Sequence, residues 1–418
     1  MTATLTLLVQ LLVILVVARL CGWVLRYFGQ PPVIGEMAAG IVLGPIMLGA
    51  WAPGVHAALF PAASLPSLSA LATFGLMLFM FIVGAELRAV DGPRAQVKAA
   101  TAVGVLGIGL PLLLGLAISP WLYPTLAPAG VDFWSFALFL ATAMSVTAFP
   151  VLARILKDRG LTRTRSGQLA LSAAVIDDGF VWIFLAVVLT LTGGSAGHGI
   201  AWTAIGAVAL VAIVFVLLKP LYAGLLARTC DADGKPTPTA LALVLGGVVG
   251  CAAATEWIGL HAVFGAFVFG VCLPRDDRLL RHLERAFAPV SVLLLMPILF
   301  ALAGLSTTSD AFAGGGPWAF ALILLVAITG KLLGGCAGAR LCGYGWRDSL
   351  SVGALINARG LMELVVMKIG LDAGLIGPEL FTMLLGMALL TTVMTSPLLD
   401  LFAARERTKA MAGEAGSR

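Results

Sequence analysis

The stretch LSAAVIDDGFVWIFL, residues 171–185, places two adjacent aspartates, Asp177 and Asp178, inside an apolar run that extends from about 167 to 192. A run of that length matches the roughly 20 residues a helix needs to cross a bilayer. At ~1.5 Å per residue, about eleven residues of helix put the pair about 17 Å deep, close to the midplane. An ionisable group there costs at least about 2.5 to 3.5 kcal/mol, so a site that keeps two of them is a functional candidate by default.

The rest of the chain fits that reading. Of 418 residues, 60% are hydrophobic and 11% charged, with a mean hydropathy of +1.04; a soluble domain carries roughly 25% charged residues. A water-exposed surface for a chain of this size is therefore excluded. With 49 glycines, four tyrosines and an apolar bulk of Leu, Ala and Val, the composition suits close-packed helices rather than an outer-membrane barrel. The expected fold class is an all-α polytopic membrane protein. The net charge of +5 is then a matter of which membrane face carries it, not of nucleic acid. Six cysteines without a CxxC pair indicate neither a zinc site nor a disulfide frame.

Apolar stretches of spanning length fall at about 5–27, 32–49, 66–86, 96–117, 133–153, 167–192, 199–225, 237–255, 258–273, 288–306, 316–339, 348–370 and 380–403. Thirteen transmembrane helices are expected, the second and ninth being short enough for a half-span or a tilted helix. Basic residues mark every second loop: Arg26; Arg88, Arg94 and Lys98; Arg154, Lys157, Arg159, Arg163 and Arg165; Lys219, Arg228 and Lys235; Arg275, Arg278, Arg281 and Arg285; Arg340 and Arg347; Arg405, Arg407, Lys409 and Arg418. Of the 26 Lys and Arg only Arg19, Lys331, Arg359 and Lys368 fall outside these loops. The positive-inside rule puts the N-terminus outside and the C-terminus inside. The first run has no basic residue before it and reads as a retained helix rather than a signal peptide. Six spans, a connecting helix at 199–225 and six more spans give the arrangement of an inverted-repeat transporter. The membrane domain is expected over 1–404 with a short cytoplasmic tail at 405–418, leaving no soluble catalytic, ATP-binding or nucleotide-binding domain.

Other charges join the aspartates at mid-depth. Lys331 lies in LLVAITGKLLGG, and Arg359 and Glu363 stand at i, i+4 in INARGLMELVV. Two ionised aspartates this close in a low dielectric repel, so at least one is neutralised by a cation or carries a proton. Lys331, the only central lysine, supplies one counter-charge. The other aspartate then holds either a proton or a cation, and that exclusive choice is the physical core of exchange. A fixed structural pair is the competing reading, and for Arg359 and Glu363 the i, i+4 spacing permits it.

Two spans carry signals of a broken helix. In ATAMSVTAFPVLARIL, Pro150 removes a backbone donor mid-span, while Ser145 and Thr147 offer hydroxyls to a small cation. In GALINARGLMEL, Asn357 and Gly360 flank Arg359 at the position an inverted repeat pairs with the first break. Crossing broken helices leave opposed half-helix dipoles that Arg359, Glu363 and Lys331 can offset.

With PPVIGEMAAGIVLGP (31–45), TAFPVLARIL (147–156), IDDG (176–179), GLHAVFGAFVFGVCLP (259–274), GKLLGG (330–335) and NARGLMELVV (357–366) in this order, the chain resembles the monovalent cation:proton antiporter-2 family. The resemblance implies a homodimer in the bacterial inner membrane. Each protomer has a scaffold at about 5–86 and 237–306 and a core at about 96–192 and 316–403. It makes Asp178 the proton and cation carrier, Asp177 the partner of Lys331, and Ser145 and Thr147 neighbouring ligands. The double aspartate looks like the electrogenic members. The substrates implied are protons against Na+ or Li+, with K+ left open because RGLMEL resembles the plant exchangers. No cofactor and no metal beyond the transported cation is implied. The potassium-efflux relatives' nucleotide-binding domain and the plant exchangers' long soluble tail have no counterpart.

An intramembrane enzyme fails on geometry: aspartyl peptidases need aspartates on facing helices, and prenyl-transferring enzymes need theirs near the surface. A proton-coupled symporter or a channel for K+ or another solute is the serious rival. His261 reads as a packed helix-end histidine, with a pH-responsive role as the sharper alternative. RDDRLLRHLERAF (275–287) reads as an interfacial helix in which His282 is a second pH-responsive candidate, and Glu36, a turn inside its span, ranks below the central charges.

Overall fold

The computed structural model describes residues 2–86, 94–162, 164–191, 200–229, 231, 236–274 and 276–415, and among these every regular element is helical. The basic loop residues Arg88, Arg163, Lys235, Arg275 and Arg418 lie outside the described residues. In chain order the helices are α1 (Ala3–Tyr27), α2 (Pro32–Leu43), α3 (Pro53–Leu59), α4 (Leu65–Glu86), α5 (Arg94–Leu126), α6 (Phe133–Ser145), α7 (Phe149–Asp158), α8 (Arg165–Leu191) and α9 (Ile200–Ile213). They continue with α10 (Lys219–Thr229), α11 (Pro238–Ile258), α12 (Ala262–Cys272), α13 (Asp277–Ala288), α14 (Met296–Leu305), α15 (Gly316–Leu341), α16 (Trp346–Ile356), α17 (Leu361–Asp372) and α18 (Pro378–Ala415). Among the described residues, nine helical segments are long and apolar enough to cross a membrane. The apolar α6 and α12 are shorter.

Several ends are set locally. Asp132 caps α6, its carboxylate accepting from the Trp134 and Ser135 amides. Thr237 caps α11, and Gly259, at φ 92°, ends it in the left-handed conformation glycine tolerates best. His261 then caps α12, its Nδ1 accepting from the Val263 amide at 3.4 Å, so this histidine stands at a helix end.

Two segments run on without a break from their neighbours. The amphipathic segment α13 buries Leu279 and Leu283 and exposes Arg281, Glu284 and Arg285, as an interfacial helix does, but it is not separate. A π-helical turn at Pro289–Leu295 absorbs the proline and carries the helix straight into α14. α18 likewise continues without interruption to Ala415.

The chain forms two compact units. One comprises Met1–Ala18, Ala39–Arg88 and Ala186–Leu305. Within it α4 packs on α12 so closely that a Cβ at Gly84 would collide with the Phe267 carbonyl, and one at Gly270 with that of Phe81. The other comprises Arg19–Ala38, Ala89–Leu185 and Ser306–Arg418 and contains every residue singled out at mid-depth. Its spine is α15 against α5. Glycines 330, 334 and 338, one turn apart, lie directly on the α5 backbone: a Cβ at Gly330 would come within 2.8 Å of Pro111 Cα, and one at Gly338 within 2.6 Å of Val103 Cα. Such small-residue stripes let helices approach where lipid offers no hydrophobic drive to associate. The close approach buries Lys331, the neighbour of Gly330, completely. Glu36 also belongs to this unit; it is buried, with its Oε1 3.7 Å from Arg19 Nη1.

Candidate ion site at two helix breaks

Helical geometry stops at Ser145 and resumes at Phe149, one residue before Pro150, whose missing N–H costs nothing in a first turn. A second interruption runs from Asn357 to Gly360, between α16 and α17. The two breaks meet. The Ala148 amide donates to the Ala358 carbonyl at 3.2 Å, and the Thr147 hydroxyl donates to the Ile356 carbonyl at 3.1 Å. Contact is so close that a Cβ at Gly360 would come within 2.6 Å of Val151 Cγ2.

Asp177, Asp178, Ser145, Thr147, Lys331, Asn357, Arg359 and Glu363 are all buried, none more than 3% exposed. They fall into two charge groups. In the first, the Lys331 ammonium donates to Asp177 Oδ2 at 3.0 Å and to Thr147 Oγ1 at 2.6 Å. Thr147 thus accepts from the lysine while its own proton goes to the end of α16. In the second, Arg359 Nη1 donates to Glu363 Oε1 at 2.9 Å and to the Ala143 carbonyl at 3.3 Å, and Nη2 donates to the Met144 carbonyl at 2.6 Å. A cation therefore sits on the carbonyl end of α6, while Glu363 occupies the first turn of α17. Both placements oppose the local helix dipole. The i, i+4 pairing expected from the sequence exists, although Arg359 stands before the helix and not within it.

Asp178 is different. It is 1% exposed, and neither carboxylate oxygen has a hydrogen-bond partner among the described residues. Asp177 keeps one free oxygen, Oδ1. With Asp177 matched to Lys331 and Glu363 to Arg359, no cation among the described residues pairs with the carboxyl of Asp178, and an unpaired charge in such a place is expensive. A proton or a bound monovalent cation removes that cost. Ser145 is less engaged than Thr147: its hydroxyl donates back to Ala141 O at 2.7 Å and joins neither charge group. Asn357 Nδ2 reaches the Thr391 carbonyl at 3.4 Å. Among the described residues no group of three or more His, Cys, Asp or Glu stands together as a metal site would need.

Sequence reasoning placed a span at about 380–403 but gave that helix, α18, no part in the site. Thr392 Oγ1 accepts from the Arg359 amide at 2.9 Å, so the last helix is fastened to the second break. The signal was TTVMTS (391–396), four hydroxyls in an apolar helix, of which Thr391, Thr392, Thr395 and Ser396 are all buried.

Comparison with known proteins agrees with this architecture. The family model described as "Sodium/hydrogen exchanger, transmembrane" matches residues 13–401. The Na(+)/H(+) antiporter NhaS4 of Synechocystis is 38% identical over 396 residues, covering 94% of this chain and 96% of the relative. Cation/H(+) antiporter 19 of Arabidopsis thaliana is 36% identical, and the K(+)/H(+) antiporter 1 of Saccharomyces cerevisiae 34%; 94% of this chain aligns with each. The chain spans about half the length of those two, 49% and 46%. The fold is similar to that of the sodium proton antiporter MjNhaP1 of Methanocaldococcus jannaschii at pH 8, with a TM-score of 0.70, 16% identity, and coverage of 95% and 97% of the two chains. A match across nearly the whole membrane region places this chain in the transmembrane sodium/hydrogen exchanger family.

Proposed function

We propose that the protein is a secondary active transporter that exchanges a monovalent cation, Na+, Li+ or K+, for protons by alternating access at Asp178. One observation carries the reading: a buried carboxylate with neither oxygen partnered among the described residues, beside a twin that is paired with Lys331 through one oxygen. Such a group holds a proton or a cation but not both, so each displaces the other. Antiporters among the relatives, including a K(+)/H(+) antiporter, support exchange and keep K+ among the substrates.

In this reading Asp177 releases or retains Lys331 as the neighbouring site changes occupancy, and Ser145 and Thr147 complete the cation's shell. Arg359, Glu363 and Asn357 hold the charge balance of the crossed breaks. Two carboxylates at one centre support uptake of more than one proton per cation, and so electrogenic exchange. The thirteen apolar stretches and the one-sided basic loops support thirteen spans with the N-terminus outside and the C-terminus inside. We assign the scaffold to about 5–86 and 237–306, the connection to 199–225, and the core to about 96–192 and 316–403. The protomer is proposed to work as a homodimer in a bacterial inner membrane.

The test is purified protein in proteoliposomes under an imposed proton gradient, read by a pH dye as Na+, Li+, K+ or Rb+ is added. Cation-dependent proton flux that disappears in Asp178→Asn is the expected result. No flux in the wild type defeats exchange, and conduction that survives Asp178→Asn points to a channel. The same assay under a voltage clamp decides electrogenicity.

A further inference from the structure

Between α16 and α17 the backbone of Arg359 belongs to neither helix, so its N–H and C=O have no place in an i to i−4 ladder. One side chain meets both. The Arg359 amide donates to Thr392 Oγ1 at 2.9 Å, and the same hydroxyl lies 2.8 Å from the Arg359 carbonyl. Its single proton has a second acceptor in Ala388 O, one turn back in α18, at 2.7 Å. Beside it, the Thr391 carbonyl accepts from Asn357. Thr392, Thr391, Asn357 and Arg359 are fully buried, so no water replaces these bonds from outside.

What Thr392 fixes passes directly to the first break. From its anchored backbone the Arg359 guanidinium extends to the carbonyls of Ala143 and Met144, the residues that precede Ser145. The residue before it, Ala358, accepts from the Ala148 amide. The hydroxyl-bearing segment Ser145–Thr147 is thus held at both ends by residues 358 and 359, and residue 359 is held by Thr392.

We propose that Thr392 is a positioning residue for the ion site: its hydroxyl clamps the Arg359 backbone, and through that residue sets where Ser145 and Thr147 stand relative to Asp178. A hydroxyl is required because one atom must accept from the amide and donate to the carbonyl. Valine has the same shape and neither capacity, while serine keeps both. The effect on transport rests on exchange at Asp178; the clamp itself does not.

The experiment compares the wild type, Thr392→Val and Thr392→Ser by amide hydrogen exchange over peptides covering 357–361, and by cation-dependent proton flux in proteoliposomes across pH. Loss of two bonds to buried groups predicts exchange about tenfold faster at this segment in Thr392→Val. It also predicts an apparent cation KM several-fold higher, with a displaced pH profile; Thr392→Ser is expected to behave as wild type in both readouts. Should the valine variant not accumulate, Thr392→Ala, which lacks both capacities, serves in its place. Unchanged amide exchange in the valine or alanine variant overturns the clamp, whatever transport does. Faster amide exchange with KM and pH profile both unmoved overturns the positioning role. Absence of cation-dependent flux in the wild type defeats the exchange reading and the transport role together, while the clamp is still decided by amide exchange alone.

Discussion

Two helices break at the centre of one unit, and they break in opposite ways. The α6–α7 break, Val146 to Ala148, carries no formal charge and is closed by the main chain of the other, through Ala358 and Ile356. The α16–α17 break carries Asn357 and Arg359, borders Glu363, and is fastened to a third helix through Thr391 and Thr392. A buried charge locks its surroundings, because every displacement uncovers a desolvated ion. Hydroxyls and carbonyls do not. In the proposed exchange the charged break is the anchor, and the neutral one, whose hydroxyls are engaged without formal charge, offers oxygens to the ion.

The contrast is broken most directly at Arg359. Arg359→Met leaves Glu363 as an uncompensated buried carboxylate and strips the Ala143 and Met144 carbonyls of their donor. The expected cost is about 3 to 5 kcal/mol, the range for removing one member of a buried pair. It would appear as a large drop in Tm of the purified protein, with transport lost. The double variant Arg359→Met with Glu363→Met should recover most of the Tm but not the flux, since the end of α6 still lacks its clamp. If Arg359→Met cost no more than a substitution in the neutral break, the anchor assignment would be wrong.

The corresponding change on the neutral side is Thr147→Val, which removes an acceptor from Lys331 and a donor from the Ile356 carbonyl. About 1 to 3 kcal/mol is expected, the cost of stranding buried polar groups, and Thr147→Ser should restore it. Smaller again is Gly360→Ala, where the new Cβ meets Val151 Cγ2 at 2.6 Å. A single methyl against a valine that can turn should cost about 1 to 2 kcal/mol. Val151→Ala in the same chain should return most of the lost Tm, because the clash is between those two side chains alone.

Much of this was visible in the residues themselves. Charges in an apolar run need no tertiary information to be conspicuous, so Asp177, Asp178, Lys331, Arg359 and Glu363 stood out before any helix was placed. Pro150 and the Asn357–Gly360 pair marked the breaks because proline and glycine act on their own backbone. Which aspartate Lys331 takes was not decidable from spacing, since adjacent residues on a helix point roughly 100° apart and the choice depends on how α15 packs. Thr392 was hidden for a related reason: a threonine in an apolar helix ordinarily bonds its own i−4 carbonyl, and only the arrival of Arg359 from 33 residues away gives it another task. The continuity of α13 with α14 was obscured by Pro289, which reads as a stop until a π-helical turn accommodates it.

The finest test of the contrast is Ser145→Ala. Among the described residues its hydroxyl donates within its own helix, to Ala141 O, and bonds to no member of the Lys331 or Arg359 group. Back-bonding of this kind contributes little to helix stability, so stability should change by no more than about 0.5 kcal/mol and Tm hardly move. Thr147→Val, which breaks the bonds to Lys331 and Ile356, should lower Tm measurably. Any effect of Ser145→Ala should then appear in transport alone, as a raised cation KM with an unchanged maximal rate, because the lost oxygen lone pairs are the only thing the substitution takes from a passing ion. A fall in Tm with KM unmoved would make Ser145 part of the frame and leave Thr147 as the sole hydroxyl at the ion's side.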